Sequence, residues 1–152
     1  INAKSASATM TIMKKFFFPS VFPDASVSRL LLTLRLFFGI LFLMHGIDKL
    51  ANFEVLSYSF PDPLGMGSHL SLVLVILAEV FCALTFIGGF LFRFSLLPML
   101  FAMFIAFFYA HGGSIADGEL AFIYLGVFLL LLVTGPGRYS ADYLIYRVVW
   151  GT

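Results

Sequence analysis

Between Leu30 and Leu50 the chain reads LLLTLRLFFGILFLMHGIDKL, an apolar run interrupted only by Arg35, His45, Asp48 and Lys49. A helix of about 20 residues, rising about 1.5 Å per residue, covers the roughly 30 Å hydrocarbon core of a bilayer. An anchor alone has no use for those polar groups, since each is costly at hydrocarbon depth. The helix is therefore expected to supply part of a site. The composition leaves little alternative to a membrane. Of the 152 residues 61% are hydrophobic and 11% charged, and 20 are Phe. A soluble domain averages about 25% charged residues, and one core of this size cannot hide so much apolar surface from water. The net charge of +1 and the absence of a basic run give no sign of nucleic acid. A single cysteine, Cys82, excludes a disulfide framework and intrachain dithiol chemistry.

Residues 1–28 are the least membrane-like and are expected to form a cytoplasmic or interfacial segment. Met10 and Met13-Lys14-Lys15 resemble translation starts, and Phe16–Phe22 is too short to span and lacks a cleavage site after it. It is expected to lie at the interface. Ser26 or Ser28 is expected to cap the first span, 30–50. A connection over 51–69, broken by Pro61, Pro63, Gly65 and Gly67, leads to a second span over 70–92 with Glu79 near its middle. Gly88-Gly89 and Arg93 leave almost no loop before a third span, 94–110, whose first turns Pro98 is expected to kink or fray. His111-Gly112-Gly113-Ser114 breaks that helix, and a fourth span follows over 120–134, stopped by Gly135-Pro136-Gly137. Ser140 can cap a short interfacial helix, 141–150, carrying Tyr143, Tyr146, Arg147 and Trp150. The expected fold is an all-α bundle of four transmembrane helices.

Four spans put both termini on one side. With the termini cytoplasmic, Lys4, Lys14, Lys15, Arg29, Arg35, Arg93, Arg138 and Arg147 fall at or near that side and Lys49 alone falls outside. Asp48, Glu54, Asp62, Asp117 and Glu119 are all then exterior.

These residues carry a family resemblance. The first span, with Arg35, Gly39 and His45-Gly46-x-x-Lys49, resembles the DoxX family of small four-helix membrane proteins. So does a second span bearing Glu79 and closing on Gly88-Gly89 and Arg93. The fourth span, led by Glu119 and ending Gly135-Pro136-Gly137-Arg138-Tyr139-Ser140-x-Asp142, is the most specific part of the likeness, which runs from about Arg29 to Leu144. The resemblance implies the fold, a bacterial inner membrane, and kinship with DoxD-like subunits of thiosulfate:quinone oxidoreductase. A fold is no guide to chemistry by itself.

Counting inward from Arg29, Arg93 and Arg138 places the polar side chains by depth. His45 and Tyr109 come out about 24 Å in, Glu79 and Tyr124 about 21 Å, and Lys49, His111 and Glu119 about 27–30 Å. They form one layer in the outer half of the bundle. Arg35, about 9 Å in, stands apart, and is expected to reach cytoplasmic headgroups or to cap a buried carbonyl. Depth pairs Glu79 with His45. Each group also has a plain structural reading: Glu79 a protonated carboxyl bonded to a carbonyl or a Tyr, His45 a register-fixing hydrogen bond, Asp48 and Lys49 snorkelling residues, and Tyr109 and Tyr124 membrane aromatics.

Two function classes follow. In the first, Glu79, His45 and Lys49 are the catalytic groups and Tyr124, Tyr109, His111 and Glu119 bind a cofactor, with quinone the expected one. A quinone carbonyl needs hydrogen-bond donors and a proton source in an apolar pocket. No dinucleotide fingerprint, cysteine cluster or haem-attachment motif is present, and no metal site is expected, so electrons would come from a partner subunit or a bound cofactor. His45 and His111 also suit axial ligation of a haem. In the second class the chain is a non-catalytic accessory or assembly subunit of a larger membrane complex, with other membrane subunits or a second copy as partners. A small-solute transporter is a third reading, less suited to four helices.

Overall fold

The computed structural model describes Thr11 and residues 22–150. Lys4, Lys14, Lys15 and the expected interfacial segment, apart from Phe22, lie outside the described residues. Six helices follow in order: α1 (Ala25–Ala51), the single turn α2 (Phe53–Leu56), α3 (Ser68–Gly88), α4 (Phe92–Ala110), α5 (Ile115–Thr134) and α6 (Ala141–Trp150). Among the described residues there is no strand. α1, α3, α4 and α5 are long and apolar enough to cross a membrane, and α1 packs on α3, α3 on α4, and α4 on α5. Edge-to-face rings close the bundle, since Phe42 of α1 meets Tyr124 and Phe128 of α5, each at 5.3 Å between centroids. Phe86 and Phe92 stack at 5.2 Å beside Phe128 and complete this aromatic centre.

Lipid tails are as apolar as leucine, so close packing rather than water exclusion holds spanning helices together. Glycine permits it here. A Cβ on Gly46 would lie 2.7 Å from Val80 Cγ2 and 2.8 Å from the Glu79 carbonyl carbon; one on Gly39 would lie 2.5 Å from Ile87 Cγ1. The two glycines face α3 and bring Glu79 against α1.

Helix ends depart from the sequence expectation for local reasons. Asp24, not Ser26 or Ser28, caps α1, accepting from the Val27 N–H at 2.9 Å, so the helix starts five residues earlier than the apolar run. Ser28 is buried instead; its hydroxyl donates to the Pro23 carbonyl and accepts from the Arg138 N–H. α3 stops at Gly88 because Gly89 turns left-handed (φ 67°) and its N–H bonds the Phe86 carbonyl. α4 begins at Phe92, where the Asp142 carboxylate accepts from the Leu91 and Phe92 N–H groups at 2.8 and 2.9 Å. Asp142, which lies in α6, thus caps the third span. α5 extends back to Ile115, placing Asp117 and Glu119 near its positive N-terminus.

Arg35 is 1% exposed and does not reach a headgroup. Its guanidinium donates to four carbonyls: Phe86 (3.2 Å) and Ile87 (2.6 Å) at the end of α3, and Pro136 (2.9 Å) and Tyr139 (2.8 Å) in the connection to α6. The carbonyl-capping reading is the right one. With Asp142, Ser140 and Ser28, Arg35 ties the Arg-bearing end of the bundle, and Arg93 adds to it by donating to the Leu132 and Val133 carbonyls of α5. Phe22 packs on Tyr143 and Tyr146 of α6 at the same end.

Candidate functional site

The opposite end is hollow. A cavity of about 440 Å³ opens among α1, α3, α4 and α5 beneath the connection that follows α2. Its walls are mainly aliphatic and aromatic. The polar residues among its lining are His45 and Lys49 from α1, Ser71 and Glu79 from α3, Tyr109 from α4, His111 just after it, and Tyr124 from α5. Six of the seven residues expected to form the outer layer therefore line one space. Glu119 does not; it is exposed on the first turns of α5 and lines no part of the cavity.

Glu79 is 2% exposed and is held in a π-helical turn spanning Leu77–Cys82. A π turn inserts an extra residue into a helix and is frequent at functional positions. A second one, Ala106–Ala110, carries Tyr109 on the facing wall, and the His111 N–H completes it by bonding the Ala106 carbonyl. Hydropathy is blind to such turns, because an apolar α turn and an apolar π turn have the same composition. Pro98 lines the cavity too, and the N–H it lacks leaves the helix looser there.

The pairing inside the cavity differs from the expectation. The Glu79 carboxylate is bonded by Lys49 Nζ at 2.5 Å, and no hydrogen bond joins it to His45 among the described residues. Depth counting locates a side chain along the axis but not around it; the longer lysine reaches Glu79 from one turn further out. His45 sits on the exposed rim, its ring 6.4 Å from that of Tyr124. Tyr124 is 2% exposed and packed among Phe38, Phe42 and Phe128. Its hydroxyl is the one buried side-chain polar atom among the described residues with no hydrogen-bond partner. A buried orphan donor costs free energy unless something occupies it.

The connection above the cavity is ordered by Asp62, whose carboxylate accepts from the Met66 N–H (2.9 Å), the Gly67 N–H (2.6 Å) and the Ser71 hydroxyl (2.8 Å). These bonds, that from Gly67 foremost, hold the Asp62 carboxyl below its usual range. Sequence reading assigned Asp62 only to the exterior side; its spacing to Gly67 and Ser71 was the available sign. Among the described residues no three His, Cys, Asp or Glu side chains gather to hold a metal ion.

A quinone ring fits the residues present. The cavity has the size and apolar lining of small-molecule sites, and Tyr124, with its orphan hydroxyl, is among its lining residues. Comparison with curated proteins and with solved structures gives no significant match. The sequence model of one family, described as DoxX, matches residues 30–112, which takes in most of α1, all of α3 and α4, Arg35 and the Lys49–Glu79 pair, and stops before α5. With that match over more than half of a chain built as a multi-pass helical bundle, the protein belongs to the DoxX family.

Proposed function

We propose that this chain is a membrane subunit of a quinone-linked redox complex, and that the cavity between Glu79 and Tyr124 receives the quinone head. The observation that carries the reading is one apolar cavity lined by both members of an ion pair and by Tyr124, a buried tyrosine whose hydroxyl has no partner. When bound, the quinone accepts two electrons and two protons, the electrons coming from a redox centre of a partner subunit. The chain's own residues do the rest. Tyr124 Oη donates a hydrogen bond to a ring oxygen and fixes its position. The Lys49–Glu79 pair holds protons beside that oxygen, and Lys49, 24% exposed, connects the pair to the outer surface. His45 and His111 stand at the rim, where they exchange protons with the exterior. Phe42, Phe101 and Met103 exclude bulk water.

The same reading has both termini cytoplasmic in a bacterial inner membrane. The family supports that membrane. Charge segregation supports the orientation: Arg29, Arg93 and Arg138 cluster at the tied end, and Asp48, Glu54, Asp62, Asp117 and Glu119 at the cavity end. The accessory-subunit reading has its own support in the Arg35 network, which is wholly structural. Quinone-dependent turnover of the isolated complex separates the two. Tyr124→Phe and Glu79→Gln are expected to lower turnover while subunits still copurify. Full turnover in Tyr124→Phe, with loss of the complex itself in Glu79→Gln, favours the accessory role.

A further inference from the structure

The apolar cavity has a floor, a lid and an open flank. Its floor is the packed aromatic centre around Phe42 and Tyr124. Its lid is the connection between α2 and α3, which turns Phe60, Pro61, Pro63 and Leu64 down onto it. Three bonds to the Asp62 carboxylate brace that lid, and one of them reaches Ser71 on α3 itself. The flank is different. Leu74, Phe101, Tyr109 and Leu120 line the cavity and are also exposed, on the sides of helices that cross the membrane. This flank therefore faces lipid, whereas the end toward water is covered by the braced connection, with His45 and His111 at its edge.

The polar groups inside constrain the ligand's charge. Lys49 and Glu79 neutralise one another, and Tyr124 offers a neutral donor. A neutral oxygen-bearing head satisfies Tyr124 without disturbing the ion pair, whereas an anionic or cationic head would compete for one of its members. The volume, about 440 Å³, holds a head and a short piece of chain. A longer tail has to leave through the flank into the bilayer.

We infer that the cavity is a lipid-side site for a neutral, oxygen-headed amphiphile, closed to water by the Asp62-braced lid, with the ligand entering and leaving laterally. This deepens the quinone reading by naming the ligand class and its route, and it stands without any redox chemistry. The seal depends on Asp62, a residue outside the redox proposal.

Two diazirine probes test it on the full chain in lipid vesicles: a long-chain alcohol that partitions into the bilayer, and a short water-soluble diazirine alcohol. After photolysis the labelled residues are located by mass spectrometry. The long-chain probe is expected to label Glu79, Phe101 and Tyr109, and excess unlabelled long-chain alcohol is expected to suppress that labelling. The water-soluble probe is expected to leave those positions unlabelled until Asp62→Ala, or the milder Asp62→Asn, raises their labelling about tenfold, the size of effect expected for about 1.4 kcal/mol. Labelling of Glu79 by the water-soluble probe with Asp62 intact overturns the proposal. So does long-chain labelling confined to outward residues such as Leu130 and Val133, or labelling that excess alcohol does not suppress. A chain that passes this test but never reduces quinone keeps the amphiphile site and loses the redox reading.

Discussion

Glu79 and Lys49 form the one ion pair among the described residues, and Glu79 brings it deep, its side chain only 3% exposed. Removing one partner of such a pair leaves the other charge uncompensated, at a cost of about 3–5 kcal/mol when both are buried. Lys49 is 24% exposed, so Lys49→Met is expected near the lower end, about 3 kcal/mol. The double variant Lys49→Met/Glu79→Gln is expected to recover more than half of that, measured by unfolding in detergent. Simple addition of the two single effects would mean that the pair contributes nothing as a pair. Arg35 makes a sharper case. Its fork bonds carbonyls on two separate segments, which a lysine's single ammonium cannot span. Losing at least two bonds from a charged donor, at about 1.5–3 kcal/mol each, predicts a cost of about 3 kcal/mol or more for Arg35→Lys. The yield of folded monodisperse protein reads this directly. Neither partner set was legible from sequence. The carbonyls that receive Arg35 belong to segments 51 to 104 residues away, and nothing in the local pattern around Arg35 encodes them.

Elements were more legible than contacts. Hydropathy located all four crossing helices, because a bilayer demands long apolar runs whatever the packing between them. It failed at their ends, where polar residues decide. The Ala116-Asp117-Gly118-Glu119 stretch looks like a loop by hydropathy, yet it is helical in α5, broken only at Gly118 (φ −110°). The Asp24 cap and the two π turns were missed for the same reason: each depends on backbone hydrogen bonds rather than on apolarity. The lid shows how such bonds make a prediction. Asp62 has a carboxyl pKa lowered from 3.8 by the bonds it accepts from Gly67, Ser71 and Met66. Its contribution to lid order is therefore complete above the unfolded value and is lost as pH falls through the lower folded value. Hydrogen exchange of residues 57–67 is expected to be constant from about pH 8 to pH 5, after correction for intrinsic rates, and to quicken only below about pH 4. In Asp62→Asn it is expected to be fast throughout. A transition near pH 6 would point to a histidine, not Asp62, as the brace.

At the scale of the whole molecule the two ends divide the work. One end is tied by Arg35, Asp142, Ser28 and Arg93, all spent on carbonyls, N–H groups and helix ends. The other keeps a cavity, two π turns and a hydroxyl without a partner. The asymmetry suits a scaffold fixed at one end that carries its candidate site at the other. The sequence suggested this division through the depth at which its polar residues lie. It could not reveal that Glu119 stays outside, nor that Tyr124 points inward unpaired, because both depend on rotation about a helix axis that apolar surroundings leave undetermined. An experimental structure of the protein with a short-chain quinone tests most directly whether the cavity seats a quinone head on Tyr124. The ring is expected between Phe42 and Glu79, with one ring oxygen about 2.7–2.8 Å from Tyr124 Oη. A cavity filled by lipid acyl chain, with the ring elsewhere and Tyr124 still unpartnered, would contradict it.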